Sequence, residues 1–357
     1  MTTNIVLLPG DGIGPEVTAV AQAVLETVGN QFSLNLSIEA HDLGGVAVDR
    51  HGTPLPKDTA AACKRADAVF LGAVGGPKWA NTPVELRPEQ GLLGLRAALG
   101  VFANLRPVKV HAALTDLSPL RPERLAGVDL LVVRELTGGI YFGAKEEGNE
   151  RAFDACEYTR QEVERVTRVA CQLASERRGR LVSVDKANVL ATSRLWRNSV
   201  SQVCREEFPN IELEHLLVDA AAMHLLSRPA DFDVVLTENM FGDILTDEAS
   251  MLAGSLGLLP SASLAGTNGA GLYEPIHGSA PDIAGKDVAN PIGAVLSVAM
   301  MLRHSLSAPD AASAIEHAVI ATLESGSRTR DLIDPSESSL GTEAFGRVIV
   351  ERLLSGP

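Results

Sequence analysis

Five short runs rich in β-branched residues, "NIVLL" (4–8), "DAVFLG" (67–72), "DLLVVRE" (129–135), "RLVSVD" (180–185) and "FDVVLT" (232–237), alternate with segments of helical periodicity. This alternation restricts the fold more than any other feature, because strands separated by helices bury their faces in an α/β arrangement with helices layered on a sheet. In one intervening segment Val163, Val166, Ala170 and Leu173 recur at three- and four-residue steps, with charged residues on the other faces. The spacing predicts an amphipathic helix with Arg177-Arg178 as a basic last turn and Gly179 as its stop. Residues 15–28 carry the same pattern through Val17, Val20, Ala21, Val24 and Val28. A Gly/Ser/Ala-rich stretch from Gly254 to Gly271 and a helix-like segment from Pro291 to Leu302 complete the order. A chain of 357 residues suggests about two domains. No internal repeat or low-complexity linker marks the boundary between them.

The first strand runs into "PGDGIGPEV", which invites comparison with the dinucleotide fingerprint. That motif needs glycines at its first, third and sixth positions. Gly10 and Gly12 fit, but Pro15 stands where the last glycine belongs. A proline there suits the first turn of a helix, where its missing N–H is not needed. The segment therefore reads as a tight strand-to-helix turn, and a nucleotide site has to be sought elsewhere.

Charge and cysteine content remove several classes. A formal net charge of −14, with no run of Lys and Arg, argues against a nucleic-acid partner. No apolar run reaches the roughly 18 residues of a membrane span, and the start lacks the pattern of a secretory leader, so a cytoplasmic protein is expected. Cys63, Cys156, Cys171 and Cys204 are far apart and form no C-x-x-C pair, which points to neither a disulfide framework nor a zinc site.

In "NMFGDILTDEAS", Asp243 and Asp247 are four apart, a spacing that puts both on one face of a helix. Like charges so placed repel, and a cation between them would relieve it; oxygen-only ligands favour Mg²⁺ or Mn²⁺ over zinc. A solvated acidic face is the other reading. Arg96, Arg106 and Arg134 form a second set, two of them at a predicted strand end or before a proline, where α/β sheets bind ligands. The guanidinium fork matches a carboxylate, so the set would suit a dicarboxylate if the three converge. Lys186 lies just beyond a buried strand in "VSVDKANVL" and could serve as a base, or be a surface lysine. Tyr141, one of three tyrosines, sits in the glycine-rich "GGIYFG" and could donate a proton, or be half-buried with a satisfied hydroxyl. The segment "EPIHGSAPDIAGKDVANP" (274–291) is not a P-loop, since Lys286 is followed by Asp287 rather than Ser or Thr. It reads as a small-residue loop before a helix, able to offer backbone N–H groups to a nucleotide. Asp282 there could accept from a ribose diol and would repel a 2′-phosphate, favouring NAD over NADP.

Taken in order, "LLPGDGIGPEV", "LGAVGGPKW", "RPEQGLLGLR", "FANLRP", "VRELTGGIYFG", "SVDKANVL", "NMFGDILTDEAS" and "HGSAPDIAGK" resemble the isocitrate/isopropylmalate dehydrogenase family of β-decarboxylating dehydrogenases, over nearly the whole chain. The resemblance implies a two-domain α/β fold of mixed sheets flanked by helices, not a Rossmann fold. It implies a discontinuous cofactor-side domain, 1–100 with 254–357, and an inserted domain, 101–253, for substrate, metal and dimer contacts. By the same resemblance Arg96, Arg106 and Arg134 bind the malate moiety, while Asp243 and Asp247 hold the metal together with Asp219 from the other subunit of a homodimer. Lys186, also from across the dimer, would take the hydroxyl proton, and Tyr141 would return one after decarboxylation. Gly75, Gly76 and Glu89 would lie by the nicotinamide of NAD. Glu274, His277, Gly278, Ser279, Ala280, Asp282, Ile283 and Asn290 would form the adenosine side.

Family members that take a third carboxylate need a polar or cationic group at the distal end of the substrate. Here Leu92 and Leu93 stand in that segment and suit an isopropyl group, as in 3-isopropylmalate. Glu238 departs from the smaller residue expected before "NMFGD". A non-catalytic relative would be expected to lack Lys186, Tyr141 or one of the aspartates, and all are present. Closure of the two domains on the substrate is expected, to exclude water before hydride transfer.

Overall fold

The run at residues 4–8 is continuously apolar, and in the computed structural model it becomes a strand buried on both faces, Thr3–Gly10 (β1). Residues 2–266, 269–334 and 336–355 are described; Thr267 and Asn268, inside the small-residue stretch 254–271, lie outside them, and so do parts of the termini. From β1 the chain enters α1 (Gly14–Gln31), β2 (Leu36–Ala40), α2 (Gly45–His51), α3 (Lys57–Arg65), β3 (Ala68–Ala73) and α4 (Pro88–Leu99). Next come β4 (Ala103–Lys109), α5 (Pro122–Leu125), β5 (Asp129–Glu135), the short pair β6 (Lys145–Glu146) and β7 (Phe153–Asp154), and α6 (Arg160–Ser175). They are followed by β8 (Arg180–Asp185), α7 (Ala191–Glu207), β9 (Glu212–Leu217), α8 (Val218–Ser227), β10 (Val234–Thr237) and α9 (Asn239–Ala253). The last elements are β11 (Pro260–Leu264), β12 (Gly271–Pro275), α10 (Ile292–His304), α11 (Pro309–Glu324) and α12 (Thr342–Ser355).

The chain divides into two compact units, 1–101 with 255–357 and 102–254. In the first unit the strand order is β2-β1-β3-β12-β11, parallel except for the antiparallel pair β11–β12. In the second it is β4-β5-β10-β8-β9, parallel except for β4–β5. Both are therefore mixed sheets, unlike the all-parallel dinucleotide-binding fold. Helices α1 and α10 pack against β1, β3, β11 and β12 in the first unit, and α6, α7 and α9 cover the strands of the second. The first core centres on Ile5, Leu8, Phe70, Leu71, Tyr273 and Phe345. The second centres on Val133, Val163, Val184, Trp196 and Leu236.

Two details correct the reading of the sequence. The helix through Val163 ends at Ser175, so Arg177 and Arg178 are not its last turn. They fold back instead onto buried Asp233, Arg177 Nε donating to Oδ1 at 2.8 Å and the Arg178 backbone N–H to Oδ2 at 2.9 Å. A carboxylate sealed from water requires such partners, and the arginines supply them. For the same reason β10 begins at Val234, because Asp233 serves these side chains and amides. Gly179 does stop the segment, in the left-handed region at φ +75°.

Candidate active site

Helix α9 positions the two spaced aspartates as the 3.6-residue period requires: Asn239, Asp243, Thr246 and Asp247 lie on one face. Arg134, on β5, and Arg106, on β4, are buried beneath that face. Arg134 donates through Nε (3.1 Å) and Nη2 (2.8 Å) to Asn239 Oδ1, and through Nη1 to Asp243 Oδ1. Arg106 donates from Nε to Asn104 Oδ1 at 2.8 Å and from Nη1 to Thr246 Oγ1 at 2.7 Å. It lies 3.7 Å from Asp243 and 3.8 Å from Asp247. Tyr141, in the turn after β5, donates its hydroxyl to Asp243 Oδ2 at 2.9 Å, with the Arg134 guanidinium 5.7 Å from its ring centre. Burial, and then the hydrogen bond to Asp243, push the Tyr141 phenol up, so it stays protonated and able to donate. Asp247 is also raised, by burial first, with Asp243 adding to it and Arg106 opposing.

Lys186 follows β8 directly and pairs with Asp219, the second residue of α8, at 2.9 Å. This bond is the main cause holding the Asp219 carboxyl below its usual range. Buried Asp185 anchors the turn by accepting from Arg197 Nε and Nη2 at 2.8 and 2.9 Å and from the Ala187 amide at 2.9 Å. Among the described residues no three His, Cys, Asp or Glu side chains converge as a metal-binding group. Within one chain, then, Asp243 and Asp247 form one acidic group and Asp219 stands with Lys186 in another.

The other predicted residues belong to the first unit. Here the glycine-rich turn after β1 has a clear use. A Cβ on Gly12, at φ +59°, would sit 1.9 Å from the Ser279 carbonyl oxygen, and Ile13 N–H donates to that same oxygen at 2.8 Å. Glycine is needed because two backbones touch there. Buried Asp11 accepts from the amides of Gly45, Val46 and Gly75, each at 2.8 Å, and burial raises its carboxyl. It thereby fixes the turn at Gly75 and Gly76, whose φ values of +105° and +152° only glycine adopts without strain. Glu89, exposed at the start of α4, approaches this turn, its Oε1 2.8 Å from where a Cβ on Gly75 would stand. Leu92 and Leu93 are half-buried on α4.

Arg96, on α4, donates from Nη2 to Glu274 Oε1 on β12 at 2.8 Å, leaving its buried Nε without a partner. In the loop after β12, His277 Nδ1 lies 3.0 Å from the Gly278 carbonyl and Nε2 is buried without a partner. Burial lowers the His277 pKa, so the ring is neutral. Ser279 is buried, Ala280 takes φ +37°, and Asp282 is exposed beside half-buried Ile283. Asn290 donates to Asp331 at 3.0 Å and caps the start of α10 by accepting from Ile292 N–H at 3.0 Å.

Asp11, Asn239 and Thr246 are among the residues of these networks that escape the sequence reading. Asn239 and Thr246 could have been found from their i−4 and i+3 spacing to Asp243. Asp11 carries no such signal.

A family model described as isocitrate/isopropylmalate dehydrogenase matches residues 4–349. The chain is 56% identical to a 3-isopropylmalate dehydrogenase of Anaeromyxobacter dehalogenans, over 99% of this chain and 100% of that one. It is 54% identical to one of Bacillus subtilis, over 99% and 98% of the two chains. Among solved structures it is similar to isocitrate dehydrogenase from Methylococcus capsulatus, with a TM-score of 0.87 and 37% identity over 98% of this chain and 99% of that one. The two mixed sheets, with arginines and a tyrosine gathered on a helical aspartate, are those of a β-decarboxylating dehydrogenase, an oxidoreductase. The chain belongs to the isocitrate/isopropylmalate dehydrogenase family.

Proposed function

We propose that this enzyme oxidises 3-isopropylmalate with NAD and decarboxylates it to 4-methyl-2-oxopentanoate and CO₂, with Mg²⁺ or Mn²⁺, as a cytoplasmic step of leucine biosynthesis. The observation that carries this reading is the convergence of Arg106, Arg134 and Tyr141 on Asp243. That constellation offers two cationic forks, a proton donor and a carboxylate within one partly exposed cluster, which is what a dicarboxylate substrate needs.

The donor sets fit the absent groups. Asp243 and Asp247 present carboxylate oxygens alone, the preference of Mg²⁺ or Mn²⁺. The unpartnered Nε2 of His277 and the unobstructed space at Gly278 suit a ribose hydroxyl against the 276–290 loop. NAD held at the 276–290 loop would supply the hydride acceptor, and a divalent ion held by Asp243 and Asp247 would supply Lewis acidity. Arg106 and Arg134 hold the substrate carboxylates, and the free Nε of Arg96 offers a further donor. Lys186 takes the C2 hydroxyl proton. Tyr141 supplies a proton to the carbon left by CO₂. Leu92 and Leu93 receive the isopropyl group.

We further assign Lys186 and Asp219 to the neighbouring copy's cluster in a homodimer, the inserted unit supplying the contact. Met223 and Leu226 on α8, with Ile244 and Met251 on the adjacent α9, are 63%, 44%, 59% and 45% exposed. So much apolar surface on two packed helices is what a second copy would cover. The test is nicotinamide reduction with Mg²⁺ and NAD, comparing 3-isopropylmalate with isocitrate, homoisocitrate, malate and tartrate. Strong preference for 3-isopropylmalate is expected. Preference for isocitrate or tartrate would leave the class intact and discard the substrate.

A further inference from the structure

Glu135 ends β5 beside Arg134, on the opposite face of the strand, and its side chain is 0% exposed. Both carboxylate oxygens are spent on the turn that follows. Oε1 accepts from the Thr137 amide at 2.9 Å and from Thr137 Oγ1 at 2.5 Å, and Oε2 accepts from the Gly138 amide at 2.7 Å. Arg165 of α6 balances the charge, 3.6 Å from Oε1, and also donates to Thr137 Oγ1. On its other side the turn is backed by Tyr158, whose ring carbons would stand 2.6 Å from a Cβ on Gly138. Asn239 ties the Gly138 carbonyl to the helix of the aspartates, at 3.3 Å. Three residues beyond Gly138, Tyr141 meets Asp243.

We propose that Glu135 is a positioning residue for Tyr141: a buried carboxylate that clamps the amides of Thr137 and Gly138 and so sets where the phenol points. The inference rests on the proton-donor role proposed for Tyr141. An ion this deep is expensive unless every oxygen is satisfied. Here the satisfying donors come from the catalytic turn itself and from Arg165.

The substitution Glu135→Gln keeps the shape but turns an amide donor toward one of the two backbone N–H groups. Hydrogen exchange over residues 137–143 is expected to quicken in this variant. Its kcat should fall about tenfold, with the KM for NAD little changed, as misplacement of a reacting group costs rate more than cofactor binding. The decisive measurement is the cycle with Tyr141→Phe, in which Glu135→Gln should cost less than about twofold because its effect passes through the phenol. Full additivity would overturn the clamp, and so would unchanged exchange in 137–143. Normal turnover by Tyr141→Phe alone would instead discard the role of Tyr141, and the clamp's catalytic meaning with it. Should Glu135→Gln fail to fold, Thr137→Ala, which removes one clamp bond and leaves both amides, carries the same cycle with a cost of about threefold.

Discussion

The two units present chemically opposite surfaces. In the first, Gly12, Gly75, Gly76 and the loop from His277 to Asn290 offer backbone, with Asp11 inside the turn organising amides rather than facing a ligand. In the second, the surface is made of polar and charged side chains, with Arg106, Arg134, Asp243 and Tyr141 held in contact from two strands, a turn and a helix. Backbone donors suit a ligand bound for its shape and its hydroxyl and phosphate groups. Side-chain charges suit a site where protons and electrons must move. If this division is correct, steric changes should damage the first unit and charge changes the second.

The largest effect is expected from Lys186→Met, which removes the cation paired with Asp219 and with it the proposed base. Turnover should drop about 10³-fold, roughly 4 kcal/mol of barrier, with secondary structure and KM for NAD preserved. Steady-state kinetics and circular dichroism on one preparation decide it. Turnover within a few-fold of the parent enzyme would remove Lys186 from the mechanism.

Gly12→Ala probes the opposite surface. A methyl group there would collide with the Ser279 carbonyl at 1.9 Å and place a non-glycine residue at φ +59°. The expected loss is about 2–4 kcal/mol of stability in denaturant unfolding, with NAD binding weakened as the 276–290 loop is pushed away. A variant as stable as the parent, with unchanged KM for NAD, would show that the contact is slack and that backbone packing is not what shapes this surface.

These two sites also show what a sequence reveals and what it hides. Asp243 and Asp247 are legible because a four-residue step on a helix is a geometric statement by itself. The strands β1, β3, β5 and β8 are legible because they are apolar runs of β-branched residues. By contrast β2 and β9 are partly exposed and carry glutamates, and β4 contains Arg106, Pro107 and Lys109, so their patterns resemble loops. Convergence was not legible at all. Arg106 and Arg134 meet only because β4 and β5 pair antiparallel, with Asn104 opposite Arg134 and Arg106 opposite Val132. Nor does the sequence show that Arg96 pairs with Glu274, which lies 178 positions further along the chain. Glu135 was hidden by its neighbour, since a glutamate at the end of an apolar strand looks exposed until the turn folds over it.

Glu238 gives a smaller effect and a sharper one, because it is charge buried at the junction of a strand and α9. It is 4% exposed and accepts from Ser193 Oγ, and burial pushes its carboxyl up to about 7. A raised carboxyl favours the protonated fold, so its contribution is complete below the ordinary glutamate range and is lost as pH rises through about 7. Glu238→Gln should therefore match the parent near pH 4 and exceed it by roughly 3 kcal/mol at pH 8. Melting curves across that range test it. Parallel pH profiles for the two proteins would mean that the carboxylate is better solvated than its burial indicates.

The smallest effect returns to the backbone surface and asks whether it contains one working charge. Asp282 is exposed in the loop before α10, and its proposed partner is the ribose diol of NAD. Neutralising it in Asp282→Asn keeps a hydrogen-bond acceptor but removes the repulsion of a 2′-phosphate. The KM for NAD should rise only about tenfold, roughly 1.4 kcal/mol, while activity with NADP improves. If NAD binding weakens and NADP gains nothing, the carboxylate acts as an acceptor alone and backbone shape sets cofactor choice. If neither changes, Asp282 faces solvent in the complex too, and the first unit recognises its ligand without any charged side chain from this loop.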